Sequence, residues 1–209
     1  MLRVYLKSLS KLDTNTFLNR SVSGNMSANM SAGMNGSDKK SLLEAVLFIA
    51  GEPLRLADLK EITGLTEVEM KDLAQELSAE YRERGGGVLI SEIAGGFQMH
   101  TNPEHSDWVK KLKGGPQGAR LSQAALESLA IIAYKQPLTK AELEALRSVN
   151  SDGVLKTLLE RRLIKVVGRK EAPGKPLLYG TTREFLIHFG LKDLTELPTM
   201  KELEREDAV

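Results

Sequence analysis

The stretch that constrains this chain most runs over residues 121–182, because its breaks and caps leave few ways to fold it. Ser122 stands before an apolar run at Ala125, Leu126, Leu129, Ile132 and Ala133, which is a capped helix with its core face at helical spacing. Gln136-Pro137 ends that helix, since the residue before a proline is pushed towards extended angles. Thr139 with Glu142 three residues later is a capping box, and it opens a second helix through Ala141, Leu143 and Leu146. After the turn Ser148-Val-Asn-Ser151, capped by Asn150 or Ser151, a third helix directs Val154, Leu155, Leu158 and Leu159 inward. Leu163-Ile-Lys-Val-Val reads as a strand, Glu171-Ala-Pro-Gly-Lys-Pro176 as a turn, and Leu177-Leu-Tyr179 as the returning strand. Three short helices followed by a two-stranded hairpin is the winged-helix order.

The same order occurs earlier. Ser37 or Asp38 caps a largely buried helix over residues 41–50, and Gly51-Glu-Pro53 breaks it. A second helix over residues 56–63 stops at Gly64. Thr66 and Glu69 box a third helix, with Val68, Leu73, Leu77 and Tyr81 as its apolar stripe, and Gly85-Gly-Gly87 ends it. Residues 88–93 and 97–101 alternate as strands around Gly95-Gly96, and Asn102-Pro103 starts a last helix carrying Trp108, Val109 and Leu112. Residue matches support a repeat: Glu44, Ile49 and Ala50 recur as Glu127, Ile132 and Ala133, then Pro53, Leu54, Ala57 and Leu59 as Pro137, Leu138, Ala141 and Leu143. The expected fold is therefore α+β, mainly α, as tandem winged-helix domains. Residues 37–113 form the first and 121–191 the second, with residues 114–120 as linker, 1–36 as a disordered N-terminal tail and 192–209 as a C-terminal tail.

Chemistry is sparse. There is no cysteine and there are three histidines, so disulfides and thiolate sites are excluded and zinc sites are disfavoured. His100 and His105 lack a third ligand nearby, Gly174-Lys175-Pro176 lacks the spacing of a phosphate loop, and no nucleophile elbow is present. No apolar run is long enough to span a membrane. These features predict a soluble intracellular protein, not an enzyme, that needs no cofactor or metal.

Charge then bears on DNA. Residues 37–113 hold ten basic and fourteen acidic side chains, whereas residues 121–182 hold ten and six. The two halves together make no continuous basic face of the kind that phosphate binding requires. A base-reading helix carries Arg, Lys, Asn or Gln at its exposed N-terminal end. Here that end is Asn150-Ser151-Asp152-Gly153, and Asp152 repels phosphate; the equivalent helix of the first half carries Glu67, Glu69, Asp72, Glu76 and Glu80. The wing residues Arg169, Lys170 and Lys175 remain as backbone contacts, against the simpler reading of a solvated hairpin. A sequence-specific transcription regulator is thus the alternative that the fold alone favours.

At Ala125-Leu-Glu-Ser-Leu-Ala-Ile-Ile-Ala-Tyr-Lys-Gln-Pro-Leu-Thr139 the chain resembles the bacterial segregation and condensation protein B family. The resemblance continues through Val149-Asn-Ser-Asp-Gly-Val-Leu155, Gly168-Arg169, Pro173-Gly-Lys-Pro176, Tyr179-Gly-Thr-Thr182 and Phe189-Gly-Leu191. Two positions depart from the pattern: Ser148 stands where glycine is expected, and Lys175 where arginine is commoner. The resemblance implies a non-enzymatic homodimer that binds the central region of the kleisin, segregation and condensation protein A (ScpA). Through the kleisin it would join a structural-maintenance-of-chromosomes (SMC) ATPase in a cytoplasmic, nucleoid-associated complex for chromosome condensation and segregation, with DNA contact indirect or weak. Candidate partner-binding residues are Arg147, Lys156, Arg169, Lys175, Tyr179, Leu191 and Leu194.

Overall fold

The computed structural model describes residues 33–112 and 121–199. The linker drawn at residues 114–120, and the tail over residues 1–32, lie outside them. Two blocks of mixed α and β structure follow the expected order. In the first, α1 (Gly36–Ala50), β1 (Leu54–Arg55), α2 (Leu56–Thr63) and α3 (Glu67–Glu83) precede β2 (Val88–Ile93) and β3 (Gly96–Thr101). A 3-10 turn at Pro103–His105 leads into α4 (Ser106–Leu112). In the second, α5 (Gln123–Lys135), β4 (Leu138–Thr139), α6 (Lys140–Arg147) and α7 (Asp152–Glu160) precede β5 (Ile164–Arg169) and β6 (Leu177–Thr181). Helix α8 (Arg183–Phe189) and a 3-10 turn at Leu194–Glu196 close the described chain.

Each hairpin belongs to a three-stranded sheet, not the two-stranded one expected. The orders are β1-β3-β2 and β4-β6-β5, all antiparallel. The added strands are two residues long, below what alternation in sequence can reveal. Both follow the Pro that breaks the preceding helix, and both set a leucine opposite an aromatic ring: Leu54 opposite Phe97, and Leu138 opposite Tyr179. The short strand thereby ties the second helix of each block to the hairpin.

Caps set the helix boundaries. Thr66 with Glu69, and Thr139 with Glu142, form the anticipated capping boxes, and Ser122 accepts from the Ala125 amide. Asn35, not Ser37 or Asp38, caps α1 by accepting from the Asp38 amide, so the helix starts earlier than expected. At α7 the Asn150 side chain accepts from the Asp152 amide, while the hydroxyl of Ser151, the N-cap residue, turns back to the Val149 carbonyl. Ser148 ends α6 with φ 56°, in the left-handed region. That explains why glycine is expected there, since a Cβ is strained at such angles. Ser148→Gly is predicted to stabilise the protein by roughly 0.5–1 kcal/mol in chemical denaturation.

Two cores form. Leu43, Leu47, Leu59, Met70, Ala74, Leu77 and Ile90 centre the first, where the Tyr81 hydroxyl donates to Glu44 at its edge. Leu129, Ile132, Leu143, Leu155, Leu158, Ile164 and Phe185 centre the second. Several side chains expected inside are outside. Val68 is exposed and Met70 takes the buried place on α3: the buried stripe is Met70, Ala74, Leu77 and Tyr81, and Val68, two residues before Met70, falls on the opposite face of the helix. Leu146, Trp108 and Leu112 are also exposed. Helix α1 is not largely buried: Leu43 and Leu47 face the core, while Phe48 and Ile49 are 73% and 77% exposed. Residues 192–198 do not run free, since Leu197 packs against the second core and the Pro198 carbonyl accepts from Tyr134.

Candidate partner-binding surfaces

The third helix of each block meets few requirements of a base reader. At the start of α7, Asp152 pairs with Lys140 and accepts from Asn150, so the polar groups there are spent on one another. The Lys140 ammonium, followed by Asn150, holds the Asp152 carboxyl below its ordinary range. On α3, Lys39 reaches Glu69 at 3.0 Å and Lys40 reaches both Glu76 and Glu80 at 2.7 Å, which leaves Glu67 and Asp72 on an acidic surface.

The seven candidates are spread over several elements of the second block and the segment after it. Arg147 ends α6, but its side chain is only 10% exposed: it donates to Ser128 at 2.8 Å and Glu127 at 3.0 Å, clamping α6 onto α5. Lys156 is exposed on α7, with Glu160 at 3.9 Å. Arg169 and Lys175 come together at the tip of the β5–β6 hairpin, where the Arg169 guanidinium donates to the Lys175 carbonyl at 3.1 Å and closes the loop. Tyr179 lies in the middle strand between Leu138 and Val166, and packs against the second core. Leu191 and Leu194 follow α8, the first packed against the core and the second half-exposed.

Lys170, beside Arg169, is held down on the body of the second block. Its ammonium lies 2.5 Å from Glu142, whose carboxylate also accepts from the Thr139 amide at 2.7 Å. Lys170 first, then the Thr139 amide, lower the Glu142 carboxyl to about 2. A depressed carboxylate pKa means this contribution is whole above the ordinary value near 4.5 and is lost as pH falls towards about 2. The β5–β6 hairpin is therefore predicted to loosen from α6 across that window, read as broadening of Lys170 and Glu142 side-chain resonances, and Glu142→Gln should remove the pH dependence.

An apolar groove in the second block was not anticipated. Leu126, Ala130 and Tyr134 on α5, Phe185 and Phe189 on α8, and Leu191, Leu197 and Pro198 beyond it line a groove of about 360 Å³. Leu126 was assigned to the core face, yet it sits on the groove wall, half-exposed. One sequence signal pointed this way: α5 is apolar at Ala125, Leu126, Leu129, Ala130, Ile131, Ile132 and Ala133, wider than one core-facing stripe needs. The excess width marks a second apolar face. The same breadth in Leu42, Leu43, Val46, Leu47, Phe48 and Ile49 marks the exposed face of α1. Among the described residues no group of three or more His, Cys, Asp or Glu side chains is placed to hold a metal, and no helix is long and apolar enough to cross a membrane.

Comparison with known proteins gives one consistent result. The family model for segregation and condensation complex subunit ScpB matches residues 41–200. A segregation and condensation protein B from Syntrophotalea carbinolica is 49% identical over 163 residues, 78% of this chain and 82% of that protein. The crystal structure of ScpB from Mycobacterium tuberculosis is 33% identical, covering 77% of this chain and 99% of its own, with a TM-score of 0.38. A crystallised dimer of an ScpB N-terminal domain complexed with a ScpA peptide is 32% identical over 36% of this chain and 95% of its own, with a TM-score of 0.34.

Proposed function

Because the chain belongs to the ScpB family of segregation and condensation complex subunits, we propose that it is a non-enzymatic accessory subunit of a bacterial SMC–kleisin condensin. Its two blocks act as tandem winged-helix domains, residues 37–113 and 121–191, joined by a linker at residues 114–120. As a homodimer it holds the central region of the kleisin ScpA, and through the kleisin it serves an SMC ATPase in chromosome condensation and segregation. It works in the cytoplasm at the nucleoid, with DNA contact indirect or weak.

The observation that carries this reading is the apolar groove between α5 and α8, set in a fold whose third helices are spent on internal ion pairs. A groove walled by Leu126, Ala130, Tyr134 and Phe189 suits the apolar face of an amphipathic helix, and offers nothing to a phosphate backbone. Phe48 and Ile49 supply a further apolar face of the kind a homodimer buries. Of the seven candidates, Arg169, Lys175 and Lys156 remain for charged rim contacts, and Leu191 and Leu194 for the apolar ones. Arg147 and Tyr179 act by holding the second block together.

Titration of a fluorescent peptide from the central region of ScpA, set against a random duplex DNA, tests the proposal. We expect the peptide to bind, Leu126→Glu to weaken it at least tenfold by placing a charge against an apolar helix, and Arg169→Ala to weaken it less. Unchanged affinity in Arg169→Ala removes that residue from the site. Absence of peptide binding, with tight salt-sensitive selection of one duplex sequence, would replace the proposal by the regulator reading.

A further inference from the structure

Much of the contact between the two blocks is made by a short segment that also walls the groove, with Arg183 of α8 adding to it. Residues 190–198 leave α8 through Gly190, at φ 67°, with the Leu191 amide returning to the Leu186 carbonyl at 2.9 Å. On one side, their backbone meets the β2–β3 turn of the first block. The Ala94 amide donates to the Leu191 carbonyl at 2.8 Å, and the Gly95 amide to the Lys192 carbonyl at 3.1 Å. Lys192 pairs with Glu92 at 3.1 Å, and Arg183 donates to the Pro53 carbonyl at 2.7 Å and, more weakly, to that of Ala94 at 3.5 Å. On the other side, Leu191, Leu197 and Pro198 line the apolar groove, and the Tyr134 hydroxyl fastens Pro198 at 2.7 Å.

We propose that residues 190–198 are a two-sided strap that couples the groove of the second block to the attachment of the first. The strap is stiff enough to transmit a shift. Asp193 caps its 3-10 turn through the Thr195 amide at 2.7 Å, and Glu196 accepts from the Lys192 amide at 2.7 Å, so its middle, residues 192–196, is tied internally. A ligand that displaces Leu191 or Leu197 moves the carbonyls that Ala94 and Gly95 use, and releasing those amides frees the wall of the groove. Such a linkage is reciprocal: groove occupancy and block attachment change each other by the same factor. The inference does not depend on what occupies the groove.

Hydrogen exchange of the Ala94 and Gly95 amides in the full chain reads the attachment directly, because a turn amide with no partner exchanges at nearly the free-peptide rate. In the unmodified protein both amides should be protected. Tyr134→Phe and Leu197→Ala alter only the groove side, and Tyr134→Phe removes a single hydroxyl that leaves the fold intact. Tyr134→Phe is expected to speed exchange at Ala94 and Gly95 about fivefold, as loss of one hydrogen bond implies, and Leu197→Ala to speed it in the same direction through lost packing, while α3 amides keep their rates. Free-peptide rates at both positions in the unmodified protein would overturn the attachment. Unchanged rates in both variants would overturn the coupling, whether or not a ScpA peptide binds.

Discussion

Leu158→Ala is expected to cost about 2–5 kcal/mol, most of it felt in the second block. Leu158 is fully buried in the last turn of α7, where it meets a core that includes Leu129, Ile132, Leu143 and Phe185. Removing three side-chain carbons there loses their transfer energy and leaves a void that surrounding elements fill only in part. Four helices and the sheet converge on this core, so no one of them can slide in without breaking its other contacts. A domain of this size has about 5–15 kcal/mol in hand, so the loss takes a large share of it. In urea denaturation the midpoint of the second block should fall at unchanged slope, while α3 amides of the first block stay protected. A loss below about 1 kcal/mol would mean that α7 is not seated as described. Because Leu129 and Phe185 belong both to this core and to the groove, peptide affinity should fall with it.

Gly96→Ala is expected to cost about 1–3 kcal/mol in the first block, for a different reason. Gly96 starts β3 opposite Arg55, and a Cβ there would sit 2.5 Å from the Leu54 carbonyl oxygen, 2.7 Å from its carbon and 3.0 Å from the Arg55 nitrogen. All three are backbone atoms, so no rotamer change relieves the clash and β1 must separate from β3. Gly180 provides the contrast. Its added Cβ would meet side-chain atoms of Gln136 at 2.9 Å and Val167 at 3.0 Å, which can give way, so Gly180→Ala is expected to be milder. Displacing β1 also moves Pro53, whose carbonyl receives Arg183 of the second block. Thermal melting should therefore show a lower midpoint, and exchange at Ala94 and Gly95 should quicken in the same variant. A midpoint within 1 °C of the unmodified protein would mean that β1 and β3 are not paired as closely as described.

The charged candidates illustrate how much of the site a sequence can carry. Arg147 was singled out by its motif, and its guanidinium is turned inward to Ser128 and Glu127. A motif position marks that a residue matters, but an arginine that clamps two helices and one that greets a partner look alike in a string of letters. Leu126 presents the opposite case, a residue read as core that stands on an exposed groove.

By itself the sequence determined the elements and their ends. Capping boxes at Thr66 and Thr139, the breaks at Pro53 and Pro137, and the stops at Gly64 and Gly190 act within four or five residues, so each can be read locally. The repeated order of elements and the family resemblance are carried by the same local signals. Only the tertiary structure decided which of two apolar faces on α1 and α5 is covered, that two-residue strands complete each sheet, and that residues 190–198 bind one block while walling a groove in the other. Those outcomes depend on partners from 40 to more than 100 residues away, and hydrophobic burial is non-directional: it requires that an apolar face be covered and leaves the covering surface to the packing of the whole chain.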